Sequence, residues 1–291
     1  MSQSIYQAIM EATKALRVAD IPEPRREAGS LLANLLGRER TFLITHPETI
    51  LSEEQLIAFR KRVVRRAGGE PLQHITRIQE FYGLSFEVNS DALIPRPETE
   101  LLVETALSLT AEDAHPLILD IGTGTGCISI ALLHNRSCAR SVSLDLSEAA
   151  VRLAARNAVR HSVRERTQLV VSDSVSALKV EPRFDLIVSN PPYIPDPDWQ
   201  KLMREVKDHE PRLALTSGFD GLTMINALLV EAPRLLTAGG HFIFEIGFAQ
   251  SAAVERNVDR EIWEIVSIQA DLQQIPRIFT LRKKGSVVSN Q

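Results

Sequence analysis

Residues 117–132 read LILDIGTGTGCISIAL, and this stretch decides the fold. The apolar run before the first glycine predicts a buried β-strand, the glycines predict a tight turn, and the apolar residues after them predict a helix. Glycines in such a turn let the backbone approach a nucleoside closely, and the N–H groups that open the following helix favour a carboxylate. The spacing is G-x-G-x-G, which differs from the G-x-G-x-x-G of dinucleotide-binding proteins. The candidate ligand-binding residues of this stretch are Asp120, Gly122, Thr123, Gly124, Thr125 and Gly126.

Two acidic residues follow the next two predicted strands. Residues 141–145 predict a strand that ends in Asp145, which lies roughly 20 residues after the glycines, where an acid can bind both ribose hydroxyls. Residues 168–171 predict a third strand, which ends near Asp173 and Ser174. The Asp173 carboxylate could accept a hydrogen bond from an adenine amino group. A glycine turn alone is weak evidence, but the turn and both acids in this order predict a nucleoside site.

A fourth predicted strand, residues 184–188, runs into Asn190-Pro191-Pro192-Tyr193. The prolines stiffen the turn, so the Asn190 carboxamide oxygen and the Pro191 carbonyl can each accept one hydrogen from a planar NH2 group. The Tyr193 ring can then cover the flat face of that group. These four residues are the candidate catalytic residues. Asn190 is also a candidate contact to the ligand of the predicted nucleoside site. The alternative interpretation is that the turn only ends a strand and that Tyr193 packs in the core.

Composition excludes several classes of protein. The 291 residues fit one large α/β domain with a small extra domain, and 33 basic against 37 acidic residues give a net charge of −4, unlike a typical DNA-binding protein. We find no apolar segment long enough for a bilayer and no leader at Met1, and we therefore expect a cytoplasmic protein. The 2 cysteines are too few for a disulfide framework, and the histidines show no zinc-site spacing. The absence of a G-x-S-x-G elbow and of a Walker glycine loop argues against a hydrolase or a nucleotidase.

The first third of the chain predicts a small helical bundle. Apolar residues at helical spacing indicate three helices, with Gly37 ending the second. Ser52 and Gln55 form a capping-box pattern at the start of the third helix, which ends at Gly68 and Gly69. That helix carries a basic cluster, either a solvated helix face or a contact to an acidic protein or RNA: Arg60, Lys61, Arg62, Arg65 and Arg66. Alternation in residues 80–88 then predicts a β-hairpin.

Together these motifs resemble the class I S-adenosylmethionine-dependent methyltransferases that use an Asn-Pro-Pro-Tyr loop. Residues 93–102, LIPRPETELL, resemble the segment that precedes the core in the release factor glutamine methyltransferases, the HemK or PrmC family. Similar stretches follow at residues 209–215, 218–222 and 245–247. The resemblance implies a class I methyltransferase (Rossmann-like) α/β fold with a seven-stranded, mostly parallel sheet, with S-adenosylmethionine as cofactor and without a metal. It also implies methylation of the glutamine in the Gly-Gly-Gln motif of class I peptide chain release factors. From the negative net charge and the lack of a long apolar segment, we expect no direct binding to nucleic acid or membrane.

The expected domains are a helical substrate-docking domain at residues 1–72, a hairpin linker at 73–93, the catalytic domain at 94–284 and a loose tail at 285–291. Two residues depart from the family pattern: Ser174, where relatives often have an aromatic residue, and Gln274, where they commonly have glycine. We interpret Glu210 and Glu245 as structural acids. The alternatives are a nucleic-acid adenine N6-methyltransferase, a ribosomal protein glutamine methyltransferase and a non-catalytic S-adenosylmethionine-binding protein.

Overall fold

The structure, a computed structural model, describes residues 3–112 and 114–285, so the predicted loose tail lies outside the described residues except for Gly285. The chain forms two compact units. The first comprises the chain through Ile78 together with Met203–His209, and the second comprises Gln79–Leu202 and the chain from Glu210 onward. The domain boundaries stated above, at residues 72 and 93, remain predictions.

The first unit is helical, as predicted. It contains β1 (Gln3–Ser4), α1 (Ile5–Val18), α2 (Pro24–Leu36), α3 (Arg40–Thr45), β2 (Ile50–Leu51), α4 (Glu53–Ala67) and α5 (Leu72–Thr76). The predicted capping box of α4 is present, with Ser52 and Gln55 each binding the other's backbone N–H. Gly37 ends α2 in the left-handed conformation, also as predicted. The short helices α3 and α5 were not predicted.

The arginines of α4 are bound within the first unit. Arg60 binds Glu11, Arg62 binds Asn34, Arg65 binds Glu70, and Arg66 binds Glu27 and Glu205. The interpretation of this cluster as a solvated face is wrong for Arg66, which is only 2% exposed. Its charge is compensated by two carboxylates, as a buried cation requires.

The remaining elements follow in chain order. They are β3 (Ile78–Phe81), β4 (Leu84–Glu87), α6 (Glu100–Ser108), β5 (Leu117–Ile121), α7 (Cys127–Asn135), β6 (Arg140–Asp145), α8 (Glu148–Arg160), β7 (Thr167–Val171), β8 (Phe184–Ser189), α9 (Arg204–His209), α10 (Thr223–Glu231), β9 (Leu236–Glu245), α11 (Ser251–Asn257), β10 (Trp263–Ala270) and β11 (Pro276–Lys283). Strands β3 and β4 form the predicted hairpin. None of the described helices has the length and the apolar composition needed to cross a bilayer.

The second unit is built on a seven-stranded sheet with the order β10-β11-β9-β8-β5-β6-β7. Strands β7, β6, β5, β8 and β9 pair in parallel, and β11 is antiparallel to both of its neighbours. The prediction of a seven-stranded, mostly parallel sheet is therefore confirmed. The chain leaves β5 toward β6 and later returns to the other side of β5 as β8. A crevice consequently opens between the carboxyl ends of β5 and β8, where ligands bind in such folds.

Both faces of the central strands are buried, which explains why β5 and β8 are mostly apolar. On β9, Phe242 and Phe244 pack in a cluster with residues of α10 and α11, such as Ile225 and Val254. Ile243, between the two phenylalanines, joins the opposite cluster with residues of α6 and α7. The two clusters hold the sheet rigid, so the residues at its carboxyl edge have fixed positions.

Strand β9 begins at Leu236 and runs through Gly239 and Gly240, although a glycine pair is also typical of a turn. Pairing with β8 shifts from Phe184 opposite Leu236 to Leu186 opposite His241. The extra residues of β9 form a bulge, in which Gly239 has a φ of +76°.

Candidate active site

Five parallel strands bring the candidate residues to one edge of the sheet. The glycine turn follows β5, Asp145 ends β6, Asp173 follows β7, and Asn190 follows β8. Glu245 ends β9 at the same edge. Residues far apart in sequence thus converge because parallel strands present their carboxyl ends together.

A cavity of about 490 Å³ opens at this edge. The predicted residues that line it are Gly122, Thr123, Gly124, Thr125, Asp145, Asp173, Ser174, Asn190 and Pro192. Further lining comes from the segment around Arg96 and Thr99 and from Leu146, Leu213 and Met224. Four predicted residues are not part of the lining, although each is adjacent in sequence to a residue that is: Asp120, Gly126, Pro191 and Tyr193.

The glycine turn has the conformation that its sequence predicts. Gly122 has a φ of +74°, and its N–H donates to the Leu144 carbonyl at 2.9 Å. A Cβ atom built on Gly122 would meet no protein atom within 4 Å, so the space beside this backbone is open to a ligand. Gly126 differs, because a Cβ there would lie 2.8 Å from Ile130 Cδ1. Its lack of a side chain serves the packing of α7.

Asp145 and Asp120, two acids at this edge of the sheet, have different roles. Asp145 accepts hydrogen bonds from Gly124 N at 2.8 Å and from Ser147 N at 2.9 Å, which fixes its carboxylate at the cavity wall. Burial raises the pKa of Asp145. Asp120 is fully buried, and burial raises its pKa to about 6. Asp120 accepts a hydrogen bond from the Thr123 hydroxyl at 2.6 Å and therefore stabilises the glycine turn.

Leu146 is a cavity residue that the sequence analysis missed. It follows Asp145, lines the cavity and is 56% exposed. Ser174, by contrast, has a φ of +49° and donates its hydroxyl to Glu231 at 3.1 Å. An apolar residue directly after the acid at a strand end was the available signal for Leu146.

The Asn-Pro-Pro-Tyr turn is anchored to the neighbouring strand. The Ser189 hydroxyl donates to the Ile121 carbonyl at 2.7 Å, and this bond joins the ends of β8 and β5. The Asn190 carboxamide nitrogen donates to Thr99 Oγ1 at 3.0 Å. The amide oxygen is therefore the end of Asn190 that remains available to a ligand.

Glu245 links this turn to the segment before α6. It accepts the Thr99 hydroxyl at 2.6 Å and the Tyr193 hydroxyl at 3.2 Å, one on each carboxylate oxygen. Burial raises the pKa of Glu245 to about 7, while both hydroxyl hydrogen bonds oppose the rise. Burial and the nearby Glu245 charge also raise the pKa of Tyr193. Glu245 and Thr99 were missed as site residues, although both lie in the stretches that carried the resemblance.

Glu210 holds the cavity rim. It accepts Ile94 N at 3.1 Å and pairs with the Arg96 guanidinium at 2.5 Å. The Glu210 side chain is buried, while Arg96 lines the cavity. This pair fixes residues 94–96 beside the site.

Tyr193 is packed more tightly than the sequence analysis expected. Its ring lies against the core cluster of the sheet, and Gln250 Nε2 donates to its backbone carbonyl at 2.8 Å. A Cβ on Gly247 would lie 2.9 Å from Tyr193 Cδ2. The turn is consequently a rigid element.

Comparison with known proteins identifies the family. The PrmC N-terminal domain matches residues 7–76, and the methyltransferase small domain matches residues 97–209. A release factor glutamine methyltransferase from Koribacter versatilis is 38% identical, with 97% of this chain and 100% of the relative covered. The chain belongs to the release factor glutamine methyltransferase family. A relative of the same name from Bradyrhizobium diazoefficiens is 39% identical over 97% of this chain and 95% of its own length. Another from Chlorobaculum tepidum is 41% identical over 88% of this chain and 90% of its own length.

Solved structures agree on the fold of this release factor glutamine methyltransferase family member. A methyltransferase from Pyrococcus furiosus matches with a TM-score of 0.52 at 16% identity, covering 78% of this chain and 98% of its own. A 16S rRNA methyltransferase from T. thermophilus, solved with AdoMet and guanosine, matches with a TM-score of 0.50 at 18% identity, covering 71% and 50%. The predicted class I methyltransferase fold is confirmed.

Proposed function

We propose that this protein transfers a methyl group from S-adenosylmethionine to the side-chain amide nitrogen of the glutamine in the Gly-Gly-Gln motif of class I peptide chain release factors. The observation that carries the proposal is the fixed Asn190 carboxamide beside the cavity at the crevice between β5 and β8. Membership of the release factor glutamine methyltransferase family supports the choice of substrate.

The cavity fits the proposed cofactor. Its volume of about 490 Å³ lies in the range of small-molecule sites. The open backbone at Gly122 suits the methionine part, Asp145 suits the ribose hydroxyls, and Asp173 suits the adenine amino group. We propose that Leu146 covers the adenine ring, a role that Ser174 cannot fill. When bound, S-adenosylmethionine supplies an electrophilic methyl group on its sulfonium.

The turn residues would orient the nucleophile. An amide nitrogen is a poor nucleophile, so its position and its hydrogen bonds decide its reactivity. The Asn190 side-chain oxygen and the Pro191 carbonyl would each accept one N–H hydrogen of the target glutamine, which directs the nitrogen lone pair toward the cofactor. Pro192 and the Tyr193 ring would form the walls of the slot. After transfer, the nitrogen loses one proton to water.

We further propose that the helical unit docks the release factor, since the substrate is a whole protein and since this unit matches the PrmC N-terminal domain. Neither nucleic acid nor a membrane is a proposed partner, and the proposed location is the cytoplasm, where release factors act. The arginine pairs of α4 support this choice, because their charges are already balanced by acceptors in the same unit.

The test supplies labelled S-adenosylmethionine with an unmodified class I release factor and, in parallel, with duplex DNA and a ribosomal protein fraction. Mass spectrometry then locates the methyl group. We expect the methyl group on the Gly-Gly-Gln glutamine. Methylation should be abolished by Asn190→Ala and retained in the control Asn257→Ala, because Asn257 is exposed on α11. Label on adenine or on a ribosomal protein would establish an alternative substrate, and cofactor binding without transfer would make the protein a non-catalytic binder.

A further inference from the structure

The proposed role of Asn190 requires one of two orientations of its carboxamide. Only the side-chain oxygen can accept a hydrogen from the target amide, whereas the NH2 end would repel it. The two ends have nearly the same shape, so packing alone does not select between them. A hydrogen-bonding partner of fixed polarity must make the selection.

The Thr99 hydroxyl has that polarity. Thr99 is 2% exposed and lies directly before α6. Its single hydrogen goes to Glu245 Oε2 at 2.6 Å, so toward Asn190 its oxygen can only accept. Asn190 Nδ2 lies 3.0 Å from that oxygen. In the reversed orientation two acceptor oxygens would face each other at this distance, which is unfavourable.

Glu245 in its ionised form is in turn an acceptor only. Its other oxygen receives the Tyr193 hydroxyl at 3.2 Å, so both of its oxygens accept from hydroxyl groups. The carboxyl group is 1% exposed, and water therefore does not compete for these bonds. The order of donors and acceptors is thus set from Glu245 through Thr99 to Asn190.

We infer that Thr99 is a positioning residue that fixes the polarity of the Asn190 carboxamide, with Glu245 as the acceptor that orients the Thr99 hydroxyl. The inference deepens the proposed function and rests on it, since it identifies what prepares the same slot for a planar amide. It places a determinant of the reaction in the segment before α6, outside the Asn-Pro-Pro-Tyr turn.

The first test compares Thr99→Val, which keeps the shape and removes the hydroxyl, with Thr99→Ser, which keeps the hydroxyl. We expect kcat for the release factor to fall on the order of 10²-fold in Thr99→Val and to return to within about threefold of wild type in Thr99→Ser. The KM for the release factor and the affinity for S-adenosylhomocysteine should change little in both. Thr105→Val is the matched control, because Thr105 is another buried threonine, on α6.

The result that overturns the inference is a Thr99→Val kcat equal to that of Thr99→Ser, whether both are high or both are low. A wild-type protein that does not methylate the release factor would instead refute the proposed function.

A second measurement does not depend on activity, and it uses a variant only to assign one signal. In wild-type protein labelled with ¹⁵N-asparagine, the side-chain signal that is missing in Asn190→Asp belongs to Asn190. We expect one of its two Nδ2 protons to be protected from exchange with water by the bond to Thr99. If both protons exchange as fast as those of an exposed carboxamide, Thr99 does not hold Asn190 and the inference is wrong.

Discussion

A Cβ atom on Gly221 would lie 2.1 Å from the backbone carbonyl oxygen of Tyr193. That carbonyl also accepts a hydrogen bond from Gln250 Nε2, which donates a second hydrogen bond to the Asp220 carbonyl at 3.3 Å. The loop that contains Gly221 is therefore in direct contact with the back of the Asn-Pro-Pro-Tyr turn, and any side chain there must push the turn toward the cavity or move the loop away.

The variant Gly221→Ala should lose activity by displacing Tyr193. Gly239→Ala is a matched control, since Gly221 and Gly239 have φ values of +77° and +76°, but a Cβ on Gly239 meets no atom within 4 Å. Both variants carry the left-handed strain of about 1–2 kcal/mol. Only Gly221→Ala should lower kcat, on the order of 10²-fold, because only there does the turn move. Equal kcat values in the two variants would show that the turn tolerates the displacement.

The proposed adenine contact of Leu146 predicts a loss of cofactor affinity in Leu146→Ser. Removing the burial of a leucine side chain costs about 1.5–3 kcal/mol, so the Kd for S-adenosylhomocysteine should rise about tenfold or more. Titration calorimetry measures this. Val171→Ser is the control, since Val171 is 47% exposed at the end of β7 and does not belong to the cavity lining. An unchanged Kd in Leu146→Ser would assign the adenine ring to another residue.

The proposed docking role of the helical unit predicts a change in KM alone. Val64 is 71% exposed on α4 and borders an apolar cavity between α1 and α4. Val64→Glu should raise the KM for the folded release factor about tenfold by burying a charge, with kcat and the KM for a short Gly-Gly-Gln peptide unchanged. Leu272→Glu, on the other unit, should leave all three values unchanged. If Val64→Glu also leaves all three values unchanged, the surface around Val64 does not dock the substrate.

The sequence predicted those features that depend on local pattern. The alternating or continuous apolar runs gave the strands, and each strand end gave a candidate such as Asp145 or Asn190. The contacts among Thr99, Asn190 and Glu245 could not be predicted in this way, because they join residues 91 and 146 positions apart in the chain. The bulge at Gly239 was also missed, since a glycine pair has the same local appearance in a turn and inside a bulged strand.

Stability should depend on pH through Glu245. Its pKa is about 7 in the folded protein against an ordinary value of 4.5, so between these values the folded protein holds a proton that the unfolded chain has released. The free energy of unfolding therefore falls as pH rises from 4.5 to 7, by about 3 kcal/mol from this group. Denaturant titrations of Glu245→Gln should show a flatter dependence over that interval.

Asp120→Asn provides the comparison, because the pKa of Asp120 is raised from 3.8 only to about 6. In Asp120→Asn, the pH dependence of the free energy of unfolding should be flatter than in wild type only up to about pH 6. The decrease between pH 6 and 7, which comes from Glu245, should remain. A Glu245→Gln curve parallel to wild type from pH 5 to 7 would contradict the proposed titration.

Gln274 offers a route to higher stability. It has a φ of +63° in the turn between β10 and β11, where glycine would carry no strain. Asp271 holds this turn by accepting Gln273 N at 2.8 Å and Ile275 N at 3.0 Å, so the strained conformation is kept. Gln274→Gly should therefore raise the free energy of unfolding by about 1 kcal/mol and Tm by about 2 °C. Gln273→Gly is the control, since Gln273 lies outside the left-handed region and glycine there only increases the entropy of the unfolded chain. It should lower Tm in the same calorimetric measurement, and a fall in both variants would mean that Gln274 is not strained.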